Sequence, residues 1–273
     1  MHMKKISSFL FSCLALVAMT FWTSCSDDES TPDAPVLTLS KEEVSGKTGQ
    51  PVEVTVSIKV PGGLKALRIT KQVNLQNDNT YGTNGVQTVQ LPSTGQTDYT
   101  YNFTYTHAPG EVDKLVGFTF RAEDNNGKVG EKVLTVNTTA SGEQILYTYR
   151  WNLKSKMHTT PNPDVEDIED CETDDSFVYN ENGTMAVNYG TKPCTFDGFN
   201  TYSTWSLSDD EKTFTQTYAS VFDPTQVTTE TYTVKSLTKD RLVMEITLDL
   251  SVFGPPYTDK ETFVYTFDAS PKQ

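Results

Sequence analysis

Histidine and cysteine are scarce in this chain of 273 residues, with three His and four Cys. His2 and Cys13 lie in the first two dozen residues. The others, His107 and His158, have no Cys or His at ligand spacing, which sets zinc aside. There is no Gly-x-Ser-x-Gly elbow, no phosphate-binding glycine loop and no His beside a Ser motif. Nucleophilic and nucleotide chemistries therefore lack their usual carriers, and acid–base work would rest on carboxylates alone. Basic residues are also in deficit, 22 against 36 acidic, for a net charge of −14. Nucleic acid needs a basic face and is excluded as a partner, as is simple rest on anionic lipid head groups. The acidic surplus suits solubility and mutual repulsion at a crowded surface. No segment carries a helical period, and no long apolar run follows Trp22.

What is present begins at the amino terminus. Lys4 and Lys5 precede an apolar stretch from Ile6 to Trp22, followed by Thr23, Ser24 and Cys25. At roughly 17 residues the stretch suits a secretory signal core better than a membrane span. Residues 1–24 read as the signal peptide. Cys25 next to the cut resembles the lipobox of bacterial lipoproteins, in the looser form found among Bacteroidetes. The resemblance implies a lipid-anchored Cys25, and stable anchoring needs at least two acyl chains. Ser26, Asp27, Asp28 and Glu29 resemble the surface-export signal of that group. The implied address is the outer membrane, facing the extracellular side, with residues 25–35 as a polar tether.

Beyond the tether the period is two. Val52, Val54, Val56, Ile58 and Val60 alternate with polar residues, as do Tyr99, Tyr101, Phe103 and Tyr105, then Phe118, Phe120 and Ala122. Such alternation marks strands with one face in a core and one in water. About seven strands over roughly a hundred residues suggest a β-sandwich for 36–137. The run from Phe118 to Lys128 with its following strand resembles the last hairpin of Ig-like domains in Bacteroidetes surface proteins.

Residues 138–144 are small and polar, a linker. From 145 to 269 eight strand candidates follow: 147–156, 176–180, 184–189, 201–208, 212–219, 228–236, 241–250 and 261–268. Several are joined by short turns such as Glu181-Asn182-Gly183. Eight consecutive antiparallel strands can close into a barrel and so remove both edges. The order of Trp151, Cys171 to Asp175, Phe177, Gly183, Cys194, Trp205 to Asp210, Tyr232 to Met244 and Phe263 to Phe267 resembles the lipocalin-like domain of Bacteroidetes lipoproteins. The expected fold class is therefore all-β, an Ig-like β-sandwich followed by an eight-stranded lipocalin-like antiparallel β-barrel.

Cys171 and Cys194 form an even pair in an exported chain, so a disulfide between them is expected. It closes a loop worth roughly 3 kcal/mol in the chain-entropy account. The acidic run Asp164 to Asp175 offers calcium-type oxygens, but it lacks the glycine and terminal Glu of an EF-hand loop. It is expected to be a solvated loop. Trp151, Trp205, Phe214, Tyr232 and Phe267 lie on strand candidates and read as barrel core. Rings of this size on so short a unit favour a filled interior over a ligand cavity. The expected function is non-catalytic binding of a small apolar ligand or a glycan by the second unit, with no cofactor, no metal and no assigned ligand-binding residue. The alternatives are a structural or adhesive surface protein with a solid barrel and, third, a carboxylate-based hydrolase.

Overall fold

The computed structural model describes residues 32–92, 95–161 and 163–272. The signal peptide and Cys25 lie outside the described residues. Alternating burial builds a first unit of nine strands among these residues: β1 Val36–Leu39, β2 Glu43–Lys47, β3 Pro51–Lys59, β4 Leu64–Val73, β5 Gln76–Asn77, β6 Val86–Val89, β7 Asp98–Thr106, β8 Leu115–Asp124 and β9 Val129–Thr139. One sheet has the order β1-β3-β7 and the other β2-β9-β8-β4-β5, with β6 also on β4. β2 runs parallel to β9, and the other pairs are antiparallel. The two sheets share one core. Val54, Val56, Ile58 and Phe103 from the first meet Leu67, Ile69, Phe118 and Phe120 from the second. The Phe103 ring lies 4.9 Å from Phe118 and 5.1 Å from Phe120. The strongest alternation in the sequence, along β3, is the inner face of this sandwich.

The second unit starts with a feature the residue pattern did not suggest. A short helix, α1 Gly142–Thr148, takes in the last three residues of the expected linker and the start of the expected barrel. Ser141 caps it, its Oγ accepting the Gln144 N–H at 3.1 Å. At seven residues it is too short to display an amphipathic period. Its strands follow: β10 Tyr149–His158, β11 Val165–Glu166, β12 Ser176–Tyr179, β13 Met185–Asn188, β14 Asn200–Leu207, β15 Thr213–Ser220, β16 Asp223–Leu237, β17 Arg241–Leu248 and β18 Glu261–Pro271. The main path is β13-β12-β10-β18-β17-β16-β15-β14, and β11 pairs only with the end of β10. Every pair is antiparallel. Register shifts in β10, β14 and β16 mark bulges that bend the sheet.

The sheet curls into a nearly closed eight-stranded barrel. Its two edges meet through a bridge between Thr184 and Thr204, reinforced by Trp205 N–H donating to Gly183 O at 2.9 Å. The indole Nε1 of Trp205 donates to Asn180 O at 3.0 Å. Contact is limited to that end because β13 is only four residues long. The chain then departs as the loop 189–199, so the start of β14 has no strand beside it on that side. The closed end is packed solid by Leu146, Trp151, Tyr179, Phe214 and Leu242. The indole N–H of Trp151 donates to Leu146 O at 2.9 Å and pins the helix under the barrel.

This closed end faces the sandwich. Glu211, in the turn between β14 and β15, accepts from Lys47 Nζ at 2.6 Å and from Gly142 N–H at 2.8 Å. Lys239, in the turn between β16 and β17, reaches Asp113 at 2.5 Å. A Cβ on Gly142 would come within 2.9 Å of the side chains of both Glu211 and Leu207, which would have to shift to admit it. The opposite end of the barrel points away from the sandwich.

Candidate functional site

The strand that ends early and the loop that replaces it leave a cavity of about 310 Å³ in the distal half of the barrel. The interior is thus filled at one end and hollow at the other. The expectation of a filled barrel holds only for the closed end, because side chains can fill the interior only where strands surround it. Phe177, Tyr202, Tyr232, Tyr265 and Phe267 project from β12, β14, β16 and β18 to form its walls. Five carboxylates also line it: Glu169, Glu172, Asp175, Asp197 and Glu230. No Lys, Arg or His is among the described lining residues.

The carboxylates differ in their partners. Glu230 is held from three sides: Gln216 Nε2 donates at 2.8 Å and the hydroxyls of Tyr232 and Tyr218 at 2.7 and 3.2 Å. Glu172 is paired with Lys156, whose Nζ contacts both its oxygens at 2.8 Å. Asp175 has no such help. It is 7% exposed, and its Oδ1 is buried without a hydrogen-bond partner among the described residues. Burial, reinforced by Asp197, Glu172 and Asp174, pushes its carboxyl up to about 6. Burial, followed by the charge of Glu230, raises the phenols of Tyr202, Tyr232 and Tyr265 above their ordinary value. These three rings stay neutral and offer O–H groups as donors.

The expected disulfide is present. Cys171 and Cys194 are joined, with Cα atoms 5.3 Å apart. The bridge ties the acidic loop before β12 to the loop 189–199, with Cys194 in the cavity wall. Glu169 lies against the two sulfurs, but these are spent in the disulfide and cannot bind metal. The acidic run is partly structured rather than freely solvated. Val165–Glu166 forms β11, and Asp170–Glu172 forms a 3₁₀ turn. Glu166 accepts from Ser155 Oγ at 2.6 Å and from the Lys156 N–H at 2.8 Å. His107 and His158 stay apart from the cavity: His107 bonds Thr138 Oγ1 at 2.8 Å and His158 bonds Glu261 at 2.6 Å.

Phe196 lines the cavity and heads a chain of three rings, with Phe199 and Phe222, that sequence reasoning passed over. Phe196 is 74% exposed, Phe222 76%, and Phe199 lies between them, with ring centroids 5.7 and 5.2 Å apart. Val252 and Phe253, in the loop between β17 and β18, are also exposed. Exposed rings grouped around a cavity mark an interaction site. These phenylalanines sit between strands, where the period-two pattern assigns no face. The available signal was large aromatics in a Gly/Asp-rich loop, at Phe196 and Phe199, where no core needs them.

No family model matches this chain, and no curated protein does. Solved structures similar to it include the lipoprotein BT2262 from Bacteroides thetaiotaomicron, at 13% identity over 85% of this chain and 99% of that one, with a TM-score of 0.26. A DUF4466 family protein from Parabacteroides merdae is 10% identical over 88% of this chain and 99% of that one, TM-score 0.31. The sporulation control protein Spo0M from Bacillus subtilis is 10% identical over 74% of this chain and 91% of that one, TM-score 0.29. Superpositions this loose decide neither fold nor function for this chain. Among the described residues no helix is long and apolar enough to cross a membrane.

Proposed function

We propose that this protein is a lipoprotein of the outer membrane, anchored through Cys25 and facing outward, whose barrel binds a glycan without catalysis. In this reading the Ig-like sandwich is a spacer, and it holds the lipocalin-like barrel with its mouth away from the membrane. The observation that carries it is the distal cavity, lined by tyrosines and carboxylates and rimmed by exposed phenylalanines. Its volume lies at the lower end of the range for small-molecule sites, enough for a sugar or two. Five carboxylates in the wall count against a purely apolar ligand, since burying them under hydrocarbon without partners is costly. Carboxylates and phenols instead supply the acceptors and donors that sugar hydroxyls need, and the rim rings offer flat apolar faces to sugar C–H groups. A hollow interior also counts against the solid-barrel adhesive reading.

The test is binding of the mature protein to a panel of bacterial and host glycans, with Phe196→Ala/Phe222→Ala as the comparison. At least a tenfold loss of affinity in the variant, with no change in melting temperature, is expected. Binding untouched by the double substitution, or none to any glycan, overturns the reading. Turnover of a bound glycan by the wild type, abolished by a single acid substitution, would replace binding by hydrolysis.

A further inference from the structure

We propose that the ligand of the cavity carries a protonated amine, as an amino sugar or another small organic ammonium, seated between Asp175, Glu230 and the tyrosine rings. This rests on the reading of the cavity as a ligand site and names the chemistry of what enters it. The first ground is charge. The wall holds five carboxylates and no basic side chain among the described residues. Lys156 balances Glu172 from outside the wall, which leaves Asp175 and Glu230 with no cation of the protein against them.

The second ground is independent of the count. Asp175 lines the cavity, is more than nine-tenths buried, and its Oδ1 has no donor among the described residues. Buried polar atoms in folded proteins are paired, and an orphan invites explanation by a missing partner. A ligand with an N⁺–H donor supplies the partner that the Asp175 carboxylate lacks.

The third ground separates an ammonium from a metal ion. Hard cations need three or more oxygens converging on one point. Among the described residues, the one group whose ligand atoms all lie within 4.8 Å of one another is Glu169 with the two disulfide sulfurs. The cavity carboxylates are spread around a wall of rings instead. A diffuse negative field with aromatic faces suits a large, softly hydrated cation, which the ring quadrupoles also attract. Tyr202, Tyr232 and Tyr265 keep their phenols neutral, so they contribute faces and donors rather than more charge.

The experiment is calorimetric titration of the mature full chain with glucosamine, choline, glucose and calcium chloride. Glucosamine or choline should bind at least tenfold more tightly than glucose. Asp175→Asn and Glu230→Gln should each weaken amine binding at least tenfold more than they weaken glucose binding. Equal affinity for glucose and glucosamine, or amine binding indifferent to both substitutions, overturns the amine while leaving the cavity a sugar site. Calcium binding lost in Asp175→Asn overturns it in favour of a metal. Failure of all four probes, in a chain that also ignores every glycan of the panel, overturns both readings. Near-ultraviolet circular dichroism checks that each variant keeps the wild-type core.

Discussion

Two buried charged groups illustrate opposite outcomes of the same burial cost. Lys71 lies in the sandwich between Asp78, at 2.9 Å, and Glu111, with the ring of Tyr105 5.2 Å from its Nζ. Burial alone would lower its pKa, but the hydrogen bonds to Glu111 and Asp78 outweigh that and raise it. Lys71→Met would strip Glu111 of its cation, and breaking a buried pair from one side costs about 3 kcal/mol; urea denaturation measures it, and a loss below about 1 kcal/mol would mean that water reaches Glu111. Asp175 has no counter-ion, and its folded pKa is raised from 3.8 to about 6. A raised acid contributes its stability fully below the unfolded value and loses it as pH rises through the folded one. Asp175→Asn should therefore match the wild type in melting temperature near pH 3.5 and exceed it at pH 7. An equal difference at both pH values would show that the carboxylate is solvated. A site residue that weakens its own fold is expected where binding requires an unpaired charge in a dry place.

At the level of elements, the cavity exists because β13 stops after four residues and a loop takes over the wall. That loop is held by its ends, by the disulfide, by Asp174 accepting the Thr191 N–H at 2.6 Å, by Lys192 with Asp170 at 3.0 Å and by Asp197 accepting the Cys194 N–H at 2.5 Å. Cys171→Ser/Cys194→Ser should cost the barrel about 3 kcal/mol by the loop-entropy account, leave the sandwich transition unmoved in calorimetry, and weaken ligand binding. A double variant with wild-type stability would mean that the two loops are ordered without the bridge. The strands themselves were legible in the residues. The expected candidates 201–208 and 212–219 fall within a residue or so of β14 and β15, because alternating Thr and aromatic residues between polar turns leave little choice of face. Helix α1 was not legible. Its place is set by the Trp151 and Ser141 bonds, which involve partners outside any periodic pattern.

For the whole molecule, the joint between the units is polar and charged: Lys47 with Glu211, Lys239 with Asp113, and Ser141 N–H on Thr48 Oγ1 at 3.0 Å. Such pairs are worth little singly at a surface, but here they fix which end of the barrel faces outward. Glu211→Lys sets like charge against Lys47 and removes the acceptor of Gly142. Limited proteolysis should then cut between Thr139 and Gly142 at least tenfold faster than in the wild type, and an unchanged rate would show that the joint is held by packing alone. Cys25→Ala should move the protein from the membrane to the soluble fraction; persistence with the outer membrane would dismiss the lipid anchor.

Composition and period by themselves determined the all-β class, the two units, the pairing of Cys171 with Cys194 and the acidic character of the surface. Those are properties of residue type and local order, and neighbours in sequence suffice to express them. Only the tertiary structure decided that the barrel is filled at one end and hollow at the other. It also turned Asp175, read from the sequence as one acid in a solvated run, into a buried and unpartnered wall residue, and Phe196, Phe199 and Phe222 into a rim. The reason is geometric. A cavity is defined by which side chains are absent across a gap, and that depends on where a strand ends and on residues tens of positions apart in the chain.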